Sequence, residues 1–147
     1  MELDREAKYR RYADKVRIFH GLKPKEVAEV LHRGHVVYFH EGQTVFHEGM
    51  LGSNLFVVLS GQVDIKSKNQ LIATCHVGDA FGEMAALNRR PRTATAVAQT
   101  PSKLLTLDEG QLVESLEKEL AVKVLLNIIH VLSERLELAN MQIARSR

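Results

Sequence analysis

Short segments rich in β-branched and aromatic residues, separated by glycines and other turn residues, fill the middle of the chain between residues 35 and 107. Segments of this length are typical of strands and too short for most helices. The even spacing of such strands, with turns between them, predicts an antiparallel sandwich or barrel. The segments lie at residues 36–39, 44–46, 55–59, 63–65, 71–75, 92–98 and 104–107.

Residues 81–96 interrupt this pattern of strands. Within them, residues 83–87 are a short run of helix formers that Pro91 prevents from continuing, and the Thr and Ala residues beyond it predict a strand. The first amides of a helix lack partners within the helix and carry partial positive charge. Because Gly82 has no side chain to keep a ligand away from the backbone, the beginning of this helix suits an anion.

Arg92 and Glu83 indicate what kind of anion this stretch could bind. A strand returning from Pro91 would bring Arg92 beside the helix amides, and a guanidinium beside free amides forms a phosphate site of fixed geometry. Glu83 is itself anionic, so it suits a ligand that also carries a hydroxyl donor, such as a ribose. The residues alone equally allow a simpler interpretation, a favourable helix N-terminus followed by a solvated arginine-rich turn.

A long, gapped motif in this stretch resembles the phosphate-binding cassette of cyclic nucleotide-binding domains. It reads Phe-Gly-Glu-Met-Ala-Ala-Leu from Phe81, then four further residues, then Arg-Thr-Ala-Thr-Ala from Arg92. The nine-residue step from Glu83 to Arg92 is similar to that of protein kinase A regulatory subunits and cyclic nucleotide-gated channels. With the glycine turns before it, the resemblance covers roughly residues 16–140. It implies a mainly β fold with flanking helices, an antiparallel β-roll of the jelly-roll type, that binds cAMP or cGMP.

The resemblance also implies a role for each residue that matches the cassette. Glu83 would accept a hydrogen bond from the ribose 2′-hydroxyl, and Arg92 would neutralise the cyclic phosphate. The backbone amides of Gly82, Met84 and Ala85 would donate to the exocyclic phosphate oxygens. The implied ligand-binding residues are Phe81, Gly82, Glu83, Met84, Ala85, Arg92 and Thr93.

Selection between adenine and guanine depends on positions around the cassette. A hydroxyl after the arginine, here Thr93, often helps to bind guanine in this family, whereas kinase-type cAMP sites tend to carry alanine. Alternate residues of a strand face opposite sides, so Thr93 would need a local bulge to act beside Arg92. Asn140 could hydrogen-bond either base, but Ala139 beside it cannot. The other pocket-lining positions implied by similarity to the catabolite activator group are Ile65, Ile72, Ala73 and Cys75.

Helical segments flank the predicted roll. Residues 2–19 carry apolar residues near helical spacing and are rich in Lys and Arg, and a second helix should begin near Pro24 and end at Gly34. The cations of the first helix allow two interpretations: a solvated face balanced by acidic neighbours, which we favour, or a docking surface for an acidic partner or a membrane. We expect one domain that comprises a helical segment at 1–34, the β-roll at 35–107 with its cassette at 78–94, and C-terminal helices at 108–147.

The C-terminal part contains a heptad pattern. Asp108 is a plausible N-cap for a helix at residues 109–119, and a longer helix should follow from about Ala121 to Ala144. Apolar residues of the long helix recur at alternating steps of three and four, and Leu126, Ile128, Val131 and Leu138 add a second apolar face. A homodimer through this seam is therefore favoured over burial against the chain's own domain. The seam comprises Val122, Leu125, Ile129, Leu132, Leu136, Ala139 and Ile143.

Composition restricts the remaining classes of function. The 147 residues are one domain's worth of chain, no apolar run approaches membrane-spanning length, and the N-terminus is too charged for a signal peptide. A single cysteine fits a reducing cytoplasm, and the net charge of +2 gives no argument for nucleic acid binding. No zinc-site spacing, P-loop or catalytic triad pattern is present, so we expect no metal, no cofactor and no enzymatic activity.

These observations predict a cyclic nucleotide sensor that transmits ligand binding through its C-terminal helix. Two alternatives remain open at this point. One is the sensory half of a catabolite-activator-type transcription regulator without its DNA-binding domain, in which case this chain alone would not bind nucleic acid. The other is a dimerisation scaffold that has kept the fold and lost the ligand.

Overall fold

The structure, a computed structural model, describes residues 2–82 and 89–146, with side chains from residue 4 onward. In the described residues, eight strands form two four-stranded antiparallel sheets. The strands are β1 (His35–Phe39), β2 (Thr44–Phe46), β3 (Asn54–Ser60), β4 (Val63–Ser67), β5 (Gln70–Cys75), β6 (Ala80–Phe81), β7 (Thr95–Ala98) and β8 (Ser102–Asp108).

The two sheets have the strand orders β1-β8-β3-β6 and β2-β7-β4-β5, and every neighbouring pair is antiparallel. The predicted antiparallel β-roll is therefore confirmed. One strand is shorter than its sequence suggests, because β7 begins at Thr95 rather than at Arg92. The Arg92 backbone instead pairs with the loop after β2: its N–H donates to the Met50 carbonyl, and its own carbonyl accepts from the Gly49 N–H, each at 2.8 Å.

Helices lie at both ends of the described chain. Helix α1 spans Glu2–Lys15, a 3₁₀ turn spans Arg17–Phe19, α2 spans Pro24–Arg33, a π-helical turn spans Gln111–Ser115, and α3 spans Lys118–Arg145. The prediction of one continuous helix at 109–119 is thus wrong, because a short π-helical turn and an extended residue lie there. Asp108 and Gln111 exchange backbone-to-side-chain hydrogen bonds of 2.8 Å that shape the wide turn, and the backbone at Leu116 is extended. Burial of Leu116 in the core interrupts the helical path before α3 begins.

Strand β3 separates two apolar cores. Leu55, Val57 and Leu59 face a core that is shared with the helices, whereas Phe56 and Val58 face the interior of the roll. Alternate side chains of a strand point to opposite sides of the sheet, so a strand that is covered on both sides buries nearly all its residues. The outer core attaches the N-terminal helices and α3 to one sheet, and the inner core fills part of the roll.

One face of α3 packs against the rest of the domain. Its buried residues are Leu120, Ala121, Val124, Ile128 and Val131. Of the four residues predicted to form a second apolar face, Ile128 and Val131 are buried. Leu126 and Leu138 are 51% and 61% exposed and do not belong to that face. Since successive helical residues are rotated by about 100°, Leu126 lies about 200° around the helix from Val124 and cannot share its face.

Polar contacts also hold α3 against the N-terminal segment. The Asn127 side-chain amide donates to the carbonyls of Ile18 and His20 at 2.9 and 2.8 Å. Arg17 forms an ion pair with Glu134 of α3. Within the described ranges, no helix has the length and apolarity needed to cross a bilayer, and no three His, Cys, Asp or Glu side chains gather as a metal site would require.

Candidate functional site

A cavity of about 310 Å³ lies at the open side of the roll. This volume is at the lower end of the roughly 300–1,000 Å³ that is typical of small-molecule sites. Its wall combines strands of both sheets, the segment before β7 and one residue of α3. The lining residues are Phe46, Ile65, Ala73, Thr74, Cys75, Ala80, Phe81, Gly82, Arg92, Thr93, Ala94 and Arg135.

Arg92 is the most constrained polar group of this wall. Its side chain is only 5% exposed. Nη1 donates to the Gly82 carbonyl at 2.9 Å, and Nη2 donates to the Asn54 carbonyl at 2.8 Å. The guanidinium carbon lies 4.2 Å from the Phe46 ring centroid, within the distance of a cation–π contact. Two carbonyls and an aromatic face therefore hold the guanidinium in one position.

The charge of Arg92 is not compensated within the described structure. Burial lowers the pKa of Arg92, yet a guanidinium stays protonated at neutral pH because its ordinary pKa is so high. No carboxylate oxygen of the described residues lies within 4.0 Å of its nitrogens, and the buried Nε has no hydrogen-bond partner. A buried charge without a counter-charge costs free energy, so an anion in the cavity would be stabilised.

Three phenylalanines support the guanidinium from inside the roll. The ring centroids of Phe46, Phe56 and Phe81 lie 5.4–5.9 Å from one another, within the range of favourable aromatic pairs. They come from β2, β3 and β6, which belong to two different sheets. The aromatic cluster therefore depends on the closure of the roll, and it keeps water from the inner side of Arg92.

Two glycines leave the space that the guanidinium occupies. A Cβ added to Gly82 would lie 2.6 Å from Arg92 Nη1, and Gly82 also has a φ of +77°, which side chains rarely adopt. A Cβ added to Gly52 would lie 2.9 Å from Nη2 and 3.1 Å from Nε. In the sequence, Gly52 is one of the glycines in the turns that precede the cassette. Its contact with Arg92, 40 positions later in the chain, has no local sequence signal.

Several residues expected from the sequence come together around this cavity. Ile65, Ala73 and Cys75 form one side of it, and Phe81 and Gly82 another. Thr93 also lines the cavity although it follows Arg92 directly. The strict alternation that would have required a bulge does not apply there, because regular pairing of β7 begins only at Thr95. Glu83, Met84 and Ala85 lie outside the described residues.

Ile72 and Asn140 lie away from the cavity. Ile65 pairs with Ala73 and Lys66 pairs with Leu71, so Ile72 is an extra residue at a β-bulge and is 59% exposed. Asn140 is exposed on α3, five residues and about 7.5 Å along the helix axis beyond Arg135.

Arg135 is a lining residue that sequence reasoning missed. It lies on α3, and its guanidinium donates to the Ala80 carbonyl at the cavity wall. In the sequence it lies between Leu132 and Leu136 of the heptad pattern, where a single arginine usually indicates a solvated position. Only the packing of α3 across the mouth of the roll identifies it.

Comparison with known proteins identifies the family to which this fold and cavity belong. The cyclic nucleotide-binding domain family matches residues 36–119. The "Cyclic AMP receptor protein" of Thermus thermophilus is 35% identical over 95 residues, which cover 61% of this chain and 44% of that protein. A cGMP-dependent protein kinase of Caenorhabditis elegans is 31% identical over 125 residues, covering 78% of this chain and 16% of the kinase. The chain thus matches less than half the length of either relative.

A solved structure gives the corresponding comparison in three dimensions. The crystal structure of the Thermus thermophilus catabolite activator protein superposes with a TM-score of 0.76 at 31% identity, and the match covers 86% of this chain and 61% of that one. The family match runs from β1 to the beginning of α3 and so includes the whole roll. The chain therefore belongs to the cyclic nucleotide-binding domain family.

Proposed function

We propose that this chain is a regulatory module that binds cAMP or cGMP in the cavity beside Arg92. The observation that carries the proposal is the buried guanidinium, which has no counter-charge among the described residues. A cyclic phosphate brings one negative charge and several acceptor oxygens, so it would satisfy both the charge and the unpartnered Nε. The relatives carry both ligand classes in their names, since one is a cyclic AMP receptor and the other a cGMP-dependent kinase.

The cavity wall suggests how the rest of the nucleotide would be recognised. The cassette begins at Phe81 and Gly82, directly beside the carbonyl that holds Arg92. We assign the phosphate to Arg92 and the amides of Gly82, Met84 and Ala85, and the ribose hydroxyl to Glu83. The apolar side formed by Ile65, Ala73 and Cys75 would contact the base. Ile72 and Asn140 would join the site only if β5 and α3 rearranged around the ligand.

We propose that α3 transmits ligand binding. It contacts the cavity through Arg135 and the N-terminal segment through Asn127 and the Arg17–Glu134 ion pair. A ligand that binds one position of α3 better than another would shift the population of the two and so move both contacts. The segments at 1–34, 35–107 and 108–147 would then respond as one domain without catalysing a reaction. We also propose a cytoplasmic location, because a chain with a single cysteine needs no disulfide framework and fits a reducing compartment.

The exposed side of α3 supports a homodimer. Val122, Ile129, Leu136 and Ile143, spaced by seven residues, are 55–63% exposed. Leu125 and Leu132 lie half-buried next to them, and Ala139 is exposed. An apolar stripe of this regularity on a solvent-facing helix is the pattern of a two-helix seam. It runs alongside the face that packs on the roll, so a partner copy could cover it without displacing α3.

Calorimetric titration with cAMP and cGMP tests the proposal. We expect at least one of the two to bind with a dissociation constant at least tenfold below that of 5′-AMP, because the rigid site around Arg92 suits a cyclic phosphate. Binding should also raise the melting temperature. Neither heat nor a melting shift with either cyclic nucleotide at millimolar concentration would contradict the proposal and favour the ligand-free scaffold.

Replacing Gly52 with alanine should weaken cyclic nucleotide binding by about tenfold or more. The added methyl group would displace the guanidinium from its carbonyl partners, and a hydrogen bond to a charged group contributes about 1.5–3 kcal/mol. Gly110→Ala is the matched control, because Gly110 has an ordinary helical backbone and its Cβ would meet nothing closer than 3.4 Å. Equal affinities of both variants in calorimetry would show that Gly52 does not position Arg92.

Thr93→Ala should reduce affinity for cGMP by about two- to tenfold and leave cAMP within twofold. The reason is the loss of one hydroxyl hydrogen bond to guanine, which contributes about 0.5–1.5 kcal/mol. Thr93→Ser keeps the hydroxyl and should restore cGMP affinity in the same titrations. Equal losses for both nucleotides would assign Thr93 to the phosphate instead of the base.

The match covers only 44% of the length of the cyclic AMP receptor protein, and this favours a second candidate function. The chain would then be the sensory half of a catabolite-activator-type regulator, whose DNA-binding domain lies in a longer protein. An open reading frame that continues beyond Arg147 into a helix-turn-helix would favour this candidate.

A further inference from the structure

A surface groove is lined by cations of the first helix. Lys8, Arg11 and Lys15 are spaced by three and four residues, so they share one face of α1. This basic stripe faces the β3–β4 turn at Ser60 and Gly61 across a groove of about 490 Å³. The groove is separate from the cavity beside Arg92, with which it shares no lining residue.

Strand β8 brings a fourth cation, Lys103, to the ring of Tyr12, which lines the groove. Lys103 Nζ lies 5.3 Å from the ring centroid of Tyr12, and Lys8 Nζ lies 5.9 Å from the same centroid. Tyr12 therefore holds two ammonium groups from different elements close together through cation–π contacts. Lys103 pairs across the sheet with Tyr38, which is 73% exposed, so an exposed aromatic ring is the cross-strand neighbour of this fourth cation.

The position of α1 over the roll is well determined by packing. Val16, directly after α1, is fully buried, and a Cβ on Gly78 would collide with the Lys15 carbonyl oxygen. Gly78 has a φ of +94°, so this close approach of helix and strand turn depends on glycine. The four cations are consequently presented by a fixed scaffold.

These cations lack the acidic partners that other cations of the chain have. Arg10 pairs with Glu6, Arg33 with Glu29 and Lys123 with Glu26. By contrast, no carboxylate in the described part of the chain lies within 4.0 Å of Lys8, Arg11, Lys15 or Lys103. Of the acidic neighbours expected to balance the cations of α1, Glu6 pairs with Arg10 on another side of the helix.

We infer that this groove is a docking site for an acidic, extended segment of a partner protein. Lys8 and Lys15 are separated by about 10.5 Å along the helix axis, which equals about three residues of an extended chain. Because side chains of an extended chain alternate in direction, a run of about four to five consecutive acidic residues would present carboxylates to both ends of the stripe. The exposed ring of Tyr38 would offer apolar contact at the rim, as tyrosine commonly does at protein interfaces.

Two other anionic partners fit the groove less well. A nucleic acid strand stacks successive bases on several aromatic faces, whereas here the Tyr12 ring already carries two ammonium groups and Tyr38 would offer a single exposed ring. A planar bilayer surface cannot enter a recess between a helix and a strand turn. An extended peptide can reach cations that line such a recess.

Fluorescence polarisation with a labelled octaglutamate peptide tests this inference. We expect saturable binding at 50 mM NaCl that weakens at 300 mM, since salt screens such contacts. The triple variant Lys8→Gln, Arg11→Gln, Lys103→Gln should lose at least tenfold in affinity. The matched triple Lys25→Gln, Lys68→Gln, Lys118→Gln removes the same charge from exposed positions outside the groove and should change affinity less than threefold.

The thermal unfolding midpoints of both triple variants are measured first, so that only folded proteins are compared. Absence of saturable binding to the wild type, or equal losses in the two triples, would overturn the inference. Tighter binding to vesicles containing phosphatidylserine, or to a single-stranded oligonucleotide, would overturn it in favour of that partner class.

Discussion

Replacing Arg92 with leucine should abolish cyclic nucleotide binding. The guanidinium would be the principal counter-charge of the phosphate in a buried site, and removing one partner of a buried ion pair costs about 3–5 kcal/mol. This corresponds to roughly a hundred- to several-thousand-fold in the dissociation constant. Isothermal titration calorimetry measures the change directly. The melting temperature gives a second measurement, because ligand at 100 times its dissociation constant should stabilise the wild type by about 2.7 kcal/mol and the variant hardly at all.

Two further variants separate charge from geometry. Arg90→Leu removes the same charge from an exposed position two residues away and should leave affinity unchanged within about twofold. Arg92→Lys keeps the charge but cannot donate to both the Gly82 and Asn54 carbonyls in the planar arrangement of a guanidinium. We expect it to recover only part of the affinity. Undiminished binding by Arg92→Leu would refute the assignment of this cavity to the phosphate.

The free protein should respond differently from the complex. Without ligand, Arg92→Leu leaves two buried carbonyls without donors but also removes a desolvated charge, and these effects oppose each other. The unliganded melting temperature should therefore change far less than the ligand-induced shift. A variant that unfolded at low temperature without ligand would instead assign Arg92 a mainly structural role.

The double variant Ile129→Glu, Leu136→Glu should disrupt the proposed homodimer and leave a monomer. Both residues lie at the centre of the exposed seam, at 56% and 63% exposure, where a partner helix would bury them. Two carboxylates in each copy would meet like charges in an apolar contact, which is costly without counter-charges. Sedimentation velocity should show at least a hundredfold rise in the dimer dissociation constant. The double variant should sediment with the monomer mass of 16.6 kDa.

The matched control carries the same charges on other exposed apolar positions. Val113→Glu, Leu138→Glu changes residues that are 56% and 61% exposed and lie off the seam. It should sediment as the wild type does. A wild type that is monomeric at micromolar concentration would contradict the dimer, and equal dissociation of both double variants would show that the seam does not specify the contact.

The architecture could be predicted from the sequence because its signals are local. The alternation of apolar residues with glycine turns determines strands within a few residues, as in β3, and Gly34 marks the end of α2 as expected. The gapped cassette identified the family from residues that lie within one short stretch. Errors occurred where tertiary burial overrides local preference, as at Leu116, whose extended backbone ends the helical segment before α3.

The site itself depended on contacts that no local pattern contains. The residue pattern alone sufficed to predict the antiparallel roll, the heptad spacing of α3 and an association of Arg92 with the cassette. Three features are visible only in the folded chain: Gly52 leaves room for the guanidinium, a bulge turns Ile72 outward, and Arg135 reaches the cavity. The tertiary structure also decided which face of α3 is buried. The reason is physical: side-chain periodicity is set by neighbouring residues, whereas the partners of a buried charge are set by how distant segments close around it.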